Sequence, residues 1–274
     1  MPIEQIVVLA LIQGITEFLP ISSSGHLILV PLITGWPDQG LMTDVMVHMG
    51  SFVAVLVYFW RDVLRLITGF LGLLGRRPNP WGRLALYIII GTVPAVVMGE
   101  ILDKIGFMNA VRSMPQIVAW NAIVFGLLLY LCDRFGLWVK TIEDMTLSQA
   151  LIIGVAQALA IIPGTSRSGI TMTAGRALGF ERPEAARFSF LLGLPAIAGA
   201  GALKLGEAAQ QGERISGSQV LTAALTFLVA LATIAVLMRI VKYTSFLPFA
   251  IYRVLLGIAL LAAIYSGVPL GAVE

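Results

Sequence analysis

Six stretches of roughly twenty mostly apolar residues limit what this chain can fold into: about 41–60, 84–103, 113–132, 187–206, 219–238 and 247–268. A helix that crosses the hydrocarbon core of a bilayer needs about 17–25 such residues. Hydrocarbon offers no partner to backbone N–H and C=O groups, so helices, which satisfy them internally, are the form open to these stretches. The expected fold is all-α and polytopic, a single membrane domain over 1–274. Ser113–Cys132 and Val220–Met238 hold no charged residue at all. Charged residues are 12% of the chain, against about 25% in soluble domains. The net charge of +3 is small and its basic residues are dispersed among loops, which argues against a nucleic-acid-binding stripe. One cysteine, Cys132, excludes an internal disulfide and a cysteine-rich metal site. Residues 1–18 are apolar but carry Glu4 and no basic start, so they read as structure rather than as a signal peptide.

Two further apolar stretches, about 3–34 and 147–180, are each interrupted near the middle. The first breaks at Leu19-Pro-Ile-Ser-Ser-Ser-Gly25 and the second at Pro163-Gly-Thr-Ser-Arg-Ser-Gly169. Proline and glycine end helices there. A break at membrane depth is tolerated only where the backbone is buried in protein or lines a cavity. Both stretches are therefore expected to be re-entrant helical hairpins. A shift of 144 residues aligns Gln13 with Gln157, Ser22 with Ser166, Ser24 with Ser168 and Gly25 with Gly169. The chain then reads as two repeats, 1–140 and 141–274, each with one hairpin and three spans. Arg61, Arg65, Arg76, Arg77 and Arg83 fill one loop. With that loop cytoplasmic, 12 of the 18 basic residues fall inside, and the repeats are inverted relative to each other. Inverted repeats with broken helices place a binding site where the breaks meet. The amphipathic piece Asp62–Leu74 either rests on the cytoplasmic surface or extends the preceding span.

Polar groups are expensive in hydrocarbon, which makes the residues at the breaks functional candidates. Gln13 and Glu17 lie four apart on one helical face. Glu17 has no basic neighbour close in sequence, so it needs a distant partner, a cation or a proton. His26 follows three hydroxyls, Ser22, Ser23 and Ser24, and imidazole suits acid–base work. One serine caps the following half-helix, and another is free to act as a nucleophile. His48 sits on a span with fewer polar neighbours and reads as packed or hydrogen-bonded within the fold. The second break, with Gly164, Thr165, Ser166, Arg167 and Ser168, suits an anion, since amides, hydroxyls and a planar guanidinium converge on it. Arg167 either supplies the cation for that anion or is a structural partner for Glu17, and both roles are compatible. Arg253 either holds phosphate or pairs with an acid such as Asp44. Together these groups suggest phosphoryl transfer or phosphate binding. Walker-type, HExxH and CxxC patterns are absent.

Gln-Gly-Ile-Thr-Glu-Phe-Leu-Pro-Ile-Ser-Ser-Ser-Gly-His over 13–26, with Pro-Gly-Thr-Ser-Arg-Ser-Gly over 163–169, resembles the bacterial undecaprenyl-diphosphatase family, also called the bacitracin-resistance protein family. Phe188-Ser-Phe-Leu-Leu192 and Phe246-Leu-Pro-Phe-Ala-Ile-Tyr-Arg253 match it too. The resemblance covers nearly the whole chain. It implies hydrolysis of undecaprenyl diphosphate to undecaprenyl phosphate and inorganic phosphate, which recycles the lipid carrier of cell-wall synthesis. It also implies six spans plus two re-entrant hairpins in an inverted repeat. The protein would sit in the bacterial cytoplasmic membrane, among membrane lipids, with its active site facing outward. The family motif opens with Glu or Gln; here Gln13 leaves the acidic role to Glu17 alone. On this resemblance Ser23 is the nucleophile, His26 the acid–base group and Arg167 the phosphate clamp, while direct attack by His26 stays open. Gln13, Ser22, Ser24, Gly164, Thr165, Ser166, Ser168 and Arg253 complete the expected substrate site. A divalent cation, magnesium or calcium, is implied, with Glu17 its one protein ligand and the diphosphate supplying the rest. The rival reading is an undecaprenyl phosphate flippase or secondary transporter using the same site. Gly199 and Gly201 allow close helix packing, within one chain or in a homodimer.

Overall fold

The computed structural model describes residues 1–76, 79–107, 111, 114–136, 138–212 and 214–266. Arg77, Arg112, Ser113 and residues 267–268, which the topology and span readings used, lie outside them. Among the described residues six helices are long and apolar enough to cross a membrane, and they coincide with the six expected stretches. They are α3 (Leu41–Tyr58), α5 (Pro80–Lys104), α6 (Pro115–Phe135), α9 (Arg182–Gln210), α10 (Gly217–Ile240) and α11 (Leu247–Tyr265). α9 runs past its apolar stretch at both ends. Pro183 suits its first turn, where a missing N–H costs nothing, so the helix begins at Arg182 among charged residues. The outer faces stay apolar: on α6, Trp120, Val124, Leu127 and Leu131 are exposed along one side, a surface made for lipid.

The two interrupted stretches form pairs of short helices. α1 (Ile3–Thr16) and α2 (Ser23–Thr34) flank the first break, and α7 (Leu147–Ala158) and α8 (Arg167–Ala177) flank the second. At ~1.5 Å per residue none of them spans a ~30 Å core alone. The two breaks share their local geometry. Ser22 has φ 77° and Ser166 has φ 71°, both in the left-handed region that non-glycine residues avoid. Each caps the next half-helix, Ser22 Oγ accepting from the Gly25 N–H at 3.4 Å and Ser166 Oγ from the Gly169 N–H at 3.1 Å. The alignment at a shift of 144 residues thus pairs two turns of the same conformation.

Close helix crossings seat these pairs. α7 lies against α5 where Gly154 faces the Gly91 backbone, and α1 lies against α10 where a Cβ on Gly14 would come within 2.7 Å of Val229 Cβ. The breaks are thereby drawn in between the long helices. Phe18, just after α1, packs edge-on against Phe190 of α9 at 5.3 Å in a fully buried core.

Helix α4 (Trp60–Leu74) is separate from α3, since Phe59 leaves helical geometry between them. Its exposed face carries Trp60, Leu64, Ile67, Leu71 and Leu74, a stripe at helical spacing, while Asp62, Leu66 and Gly69 are buried. Near it the basic residues gather at one end of the molecule. Arg187 clasps Asp62 with two hydrogen bonds of 2.7 and 2.8 Å. Arg176 and Arg182 both donate to Asp133 at 2.8 Å, and both lie over the Trp138 ring.

Candidate active site

Glu17 follows the last turn of α1 and is nearly excluded from solvent. Nothing near it in sequence is basic, yet the fold surrounds it with donors. Arg167 Nη2, from the start of α8, donates to its Oε1 at 2.8 Å. Ser23 Oγ, from the start of α2, donates to its Oε2 at 2.5 Å, and Gln13 Nε2 donates to the same oxygen at 3.1 Å. His48 Nε2, from α3, stands 3.7 Å from Oε2. A buried charge survives only when paired and hydrogen-bonded, and both conditions are met here. The second Arg167 nitrogen, Nη1, is buried with no hydrogen-bond partner among the described residues and lies directly over Gly193 of α9.

A cavity of about 680 Å³ opens beside this cluster. Glu17, Ser23, Ser24, His48, Ser166 and Arg167 line its polar part; its apolar wall includes Leu27, Ile28, Val45, Ile161 and Ile197. Asp38, Gln39, Asp44 and Lys204 line it as well. Lys204 lies 17 residues beyond Arg187 along α9, so the cavity reaches about 25 Å away from the basic end of the molecule.

The two histidines are not equivalent. His26 Nδ1 is 2.7 Å from the Ser22 carbonyl oxygen, which can only accept, so Nδ1 carries the proton. Its Nε2 then accepts from the Tyr252 hydroxyl at 2.6 Å, and the rings stack at 5.7 Å. His26 is not among the cavity-lining residues. His48 Nδ1 likewise donates to the Asp44 carbonyl at 2.7 Å, which leaves Nε2 to face Glu17 inside the cavity. The hydrogen bond fits the structural role expected for His48, but the approach to Glu17 goes beyond it. The signal for it was Asp44, His48 and Ser51, a polar stripe at i, i+4 and i+7 in an apolar span.

Other expected site residues are occupied by the fold itself. Arg253 is fully buried, and its guanidinium donates to the carbonyls of Pro20, Asn121, Ala122, Gly164 and Thr165. It ties the first break, the second break and α6 together. Ser168 Oγ donates to the Leu19 carbonyl at 3.1 Å, joining the breaks a second time. Thr165 is buried away from the cavity, and Ser22 is spent as a cap. Ser24 lines the cavity and lies 3.4 Å from Ser22 Oγ.

Among the described residues no three His, Cys, Asp or Glu side chains gather as a metal-binding group. Glu17 is the one carboxylate in the cluster, and both its oxygens are engaged by protein donors. This donor set does not fit a cation held by the protein.

Removing the space over Gly193 tests the seat of Arg167. Any Cβ at this position would collide with the guanidinium. Gly193→Ala is expected to displace Arg167 and to lower the rate by about 10²-fold or more, with helix content unchanged by circular dichroism.

The family model described as Bacitracin resistance protein BacA matches residues 6–259. The chain belongs to this family. It is 47% identical to an undecaprenyl-diphosphatase of Erythrobacter litoralis over 94% of this chain and 98% of that one. An undecaprenyl-diphosphatase of Maricaulis maris is 48% identical, with 93% and 97% covered, and one of Ruegeria pomeroyi 45% identical, with 97% and 100% covered. BacA family membership and the six spanning helices together make this a multi-pass membrane protein.

Proposed function

We propose that this enzyme hydrolyses undecaprenyl diphosphate to undecaprenyl phosphate and inorganic phosphate, returning the lipid carrier of cell-wall synthesis. One observation carries the reading at the level of the site. Ser23 Oγ is held against one oxygen of the Glu17 carboxylate and Arg167 against the other, at a cavity that also has an apolar wall. Ser23 attacks the terminal phosphorus. The Oγ–P bond forms and the bridging P–O bond breaks, so the lipid monophosphate leaves with the electron pair. Arg167 offsets the negative charge that spreads over the phosphoryl oxygens. Water then cleaves the phosphoserine. Gln13 orients Glu17, and Ser24 and Ser166 offer hydroxyls to the diphosphate. Arg253 holds the two breaks in register and reaches no substrate. His26, with both ring nitrogens engaged, anchors α2 to Tyr252 on α11. A magnesium or calcium ion enters as a counter-ion on the diphosphate oxygens rather than as a resident of the protein. Nothing in the site favours the flippase reading, because transport needs no hydroxyl held against a carboxylate.

The same proposal extends to topology. We read α1–α2 and α7–α8 as re-entrant hairpins of an inverted repeat, 1–140 and 141–274. The twin left-handed serines support this, and so does the exchange of partners in which α1 packs on α10 and α7 on α5. The basic end faces the cytoplasm by the positive-inside rule, and the cavity opens outward from the bacterial cytoplasmic membrane. Helix α4 lies at the cytoplasmic interface with its Trp60–Leu74 stripe toward lipid.

Phosphate release from undecaprenyl diphosphate by the purified protein in detergent tests the function. Wild type is expected to be active and Ser23→Ala to be slower by about 10³-fold or more. Release at the wild-type rate by Ser23→Ala would refute the nucleophile, and none from a folded wild type would refute the activity.

A further inference from the structure

We propose that His48 is the third member of a proton relay, Ser23–Glu17–His48, that takes up the nucleophile's proton in the first step and returns it in the second. The inference rests on the phosphatase reading above and concerns a residue that reading does not use.

The difficulty lies in Glu17. Its Oε1 is bound to Arg167 and its Oε2 receives the Ser23 hydroxyl. If the serine proton came to rest on Glu17, the carboxyl would be neutral and a largely buried guanidinium would lose its counter-charge. A broken buried pair is strongly unfavourable. Glu17 is therefore a good conduit for the proton and a poor store. A store must stand close beside the same oxygen, carry a free basic atom and lie in the cavity.

His48 satisfies all three conditions. Its Nε2 stands 3.7 Å from Glu17 Oε2, the oxygen that accepts the Ser23 hydroxyl. Its Nδ1 is committed to the Asp44 carbonyl, so the neutral ring presents a lone pair at Nε2 and nowhere else. A third of the side chain is open, into the cavity. His26 fails the second and third conditions, since Tyr252 donates to its Nε2 and it does not line the cavity. The charged groups around His48 are Glu17 from α1, Arg167 from α8 and Lys204 from α9. Asp44 on its own helix and Asp38 on the preceding loop also line the cavity. With Glu17 nearest, a protonated His48 is paired as soon as it forms.

The proton balance closes. As the Oγ–P bond forms, the Ser23 proton moves to Glu17 Oε2 and a proton passes on to His48 Nε2, leaving Glu17 ionised against Arg167. As water attacks and the Oγ–P bond breaks, the proton returns from His48 through Glu17 to Ser23 Oγ. The proton lost by the attacking water leaves with inorganic phosphate.

The test uses the full-length protein in detergent, with undecaprenyl diphosphate as substrate and phosphate release as readout, with and without added imidazole. His48→Ala is expected to lower kcat by about 10²- to 10³-fold with little change in KM. Imidazole should restore part of that rate, because it can occupy the vacated space beside Glu17. His48→Gln keeps the side chain's bulk and polarity without the base. It should be as slow as His48→Ala and gain nothing from imidazole, and Ser23→Ala should gain nothing either. Thermal unfolding beside each assay shows that the variants are folded. The relay is overturned if His48→Gln keeps a rate within about threefold of wild type, or if His48→Ala is slow, folded and indifferent to imidazole. A folded wild type that releases no phosphate would overturn the phosphatase reading and the relay with it. An active wild type beside an active His48→Gln would overturn the relay alone.

Discussion

Arg253→Ala is expected to cost the protein its stability as well as its activity. The guanidinium is fully buried and donates to five carbonyls: Pro20 in the first break, Gly164 and Thr165 in the second, and Asn121 and Ala122 on α6. The carbonyls of Pro20, Gly164 and Thr165 belong to backbone outside any helix, with few other donors near, whereas those of Asn121 and Ala122 lie inside α6 and keep its helical donors. An unsatisfied buried polar group costs about 1–3 kcal/mol. Even if some of these carbonyls find other donors, two left without one would cost about 2–6 kcal/mol. Thermal unfolding in detergent would show it as a large fall in Tm. Arg253→Lys should recover part of the stability, because an ammonium keeps the charge and three donors but not the planar fork. An unchanged Tm for Arg253→Ala would mean that the breaks hold together without it.

Arg167→Ala should cost rate above all: Glu17, left without its counter-charge, can take up a proton and so limit the loss of stability, whereas nothing replaces the guanidinium on the phosphoryl group. The Arg167 side chain is 17% exposed, on the cavity side, and Glu17 keeps Ser23, Gln13 and His48 when the guanidinium is gone. A positioned arginine on a transferring phosphoryl group is worth about 10³- to 10⁵-fold in kcat. Phosphate release should fall by that order, and Arg167→Lys should recover little, since a single ammonium cannot bridge Glu17 and a phosphoryl oxygen with one rigid plane. A rate within about tenfold of wild type would place the phosphoryl group elsewhere.

Much of the fold is legible in the sequence because hydrocarbon allows few solutions. The apolar stretches near 84–103 and 219–238 had to be helices, and they are. The breaks were marked by Pro20, Pro163, Gly164 and the serines around them. What the sequence could not convey is which side chain each break turns toward which partner. Adjacency favoured His26, next to three hydroxyls, but its Nε2 is taken by Tyr252, 226 residues away. His48 looked isolated on its own span and is brought to Glu17 only by the packing of α1 and α3. Arg253 reads as a phosphate ligand in sequence because an intramembrane arginine needs anionic or dipolar company; five carbonyl dipoles from three separate segments fill that need. Glu17 and Arg167 were open partners in the sequence, and the packing of the two breaks against each other brings them together at 2.8 Å.

The Glu17–Arg167 pair also has consequences for synthesis. The two residues are 150 positions apart. At a ribosomal rate of about 5–20 residues per second, Glu17 emerges roughly 8–30 s before its counter-charge. In that interval the first break has no cation to meet, and hydrocarbon is closed to an unpaired carboxylate. The segment around Glu17 is therefore expected to stay in contact with water, or to hold a proton, until the second half of the chain has been threaded. The site is assembled last, when Arg167 arrives to neutralise Glu17 and Arg253 follows to fasten both turns.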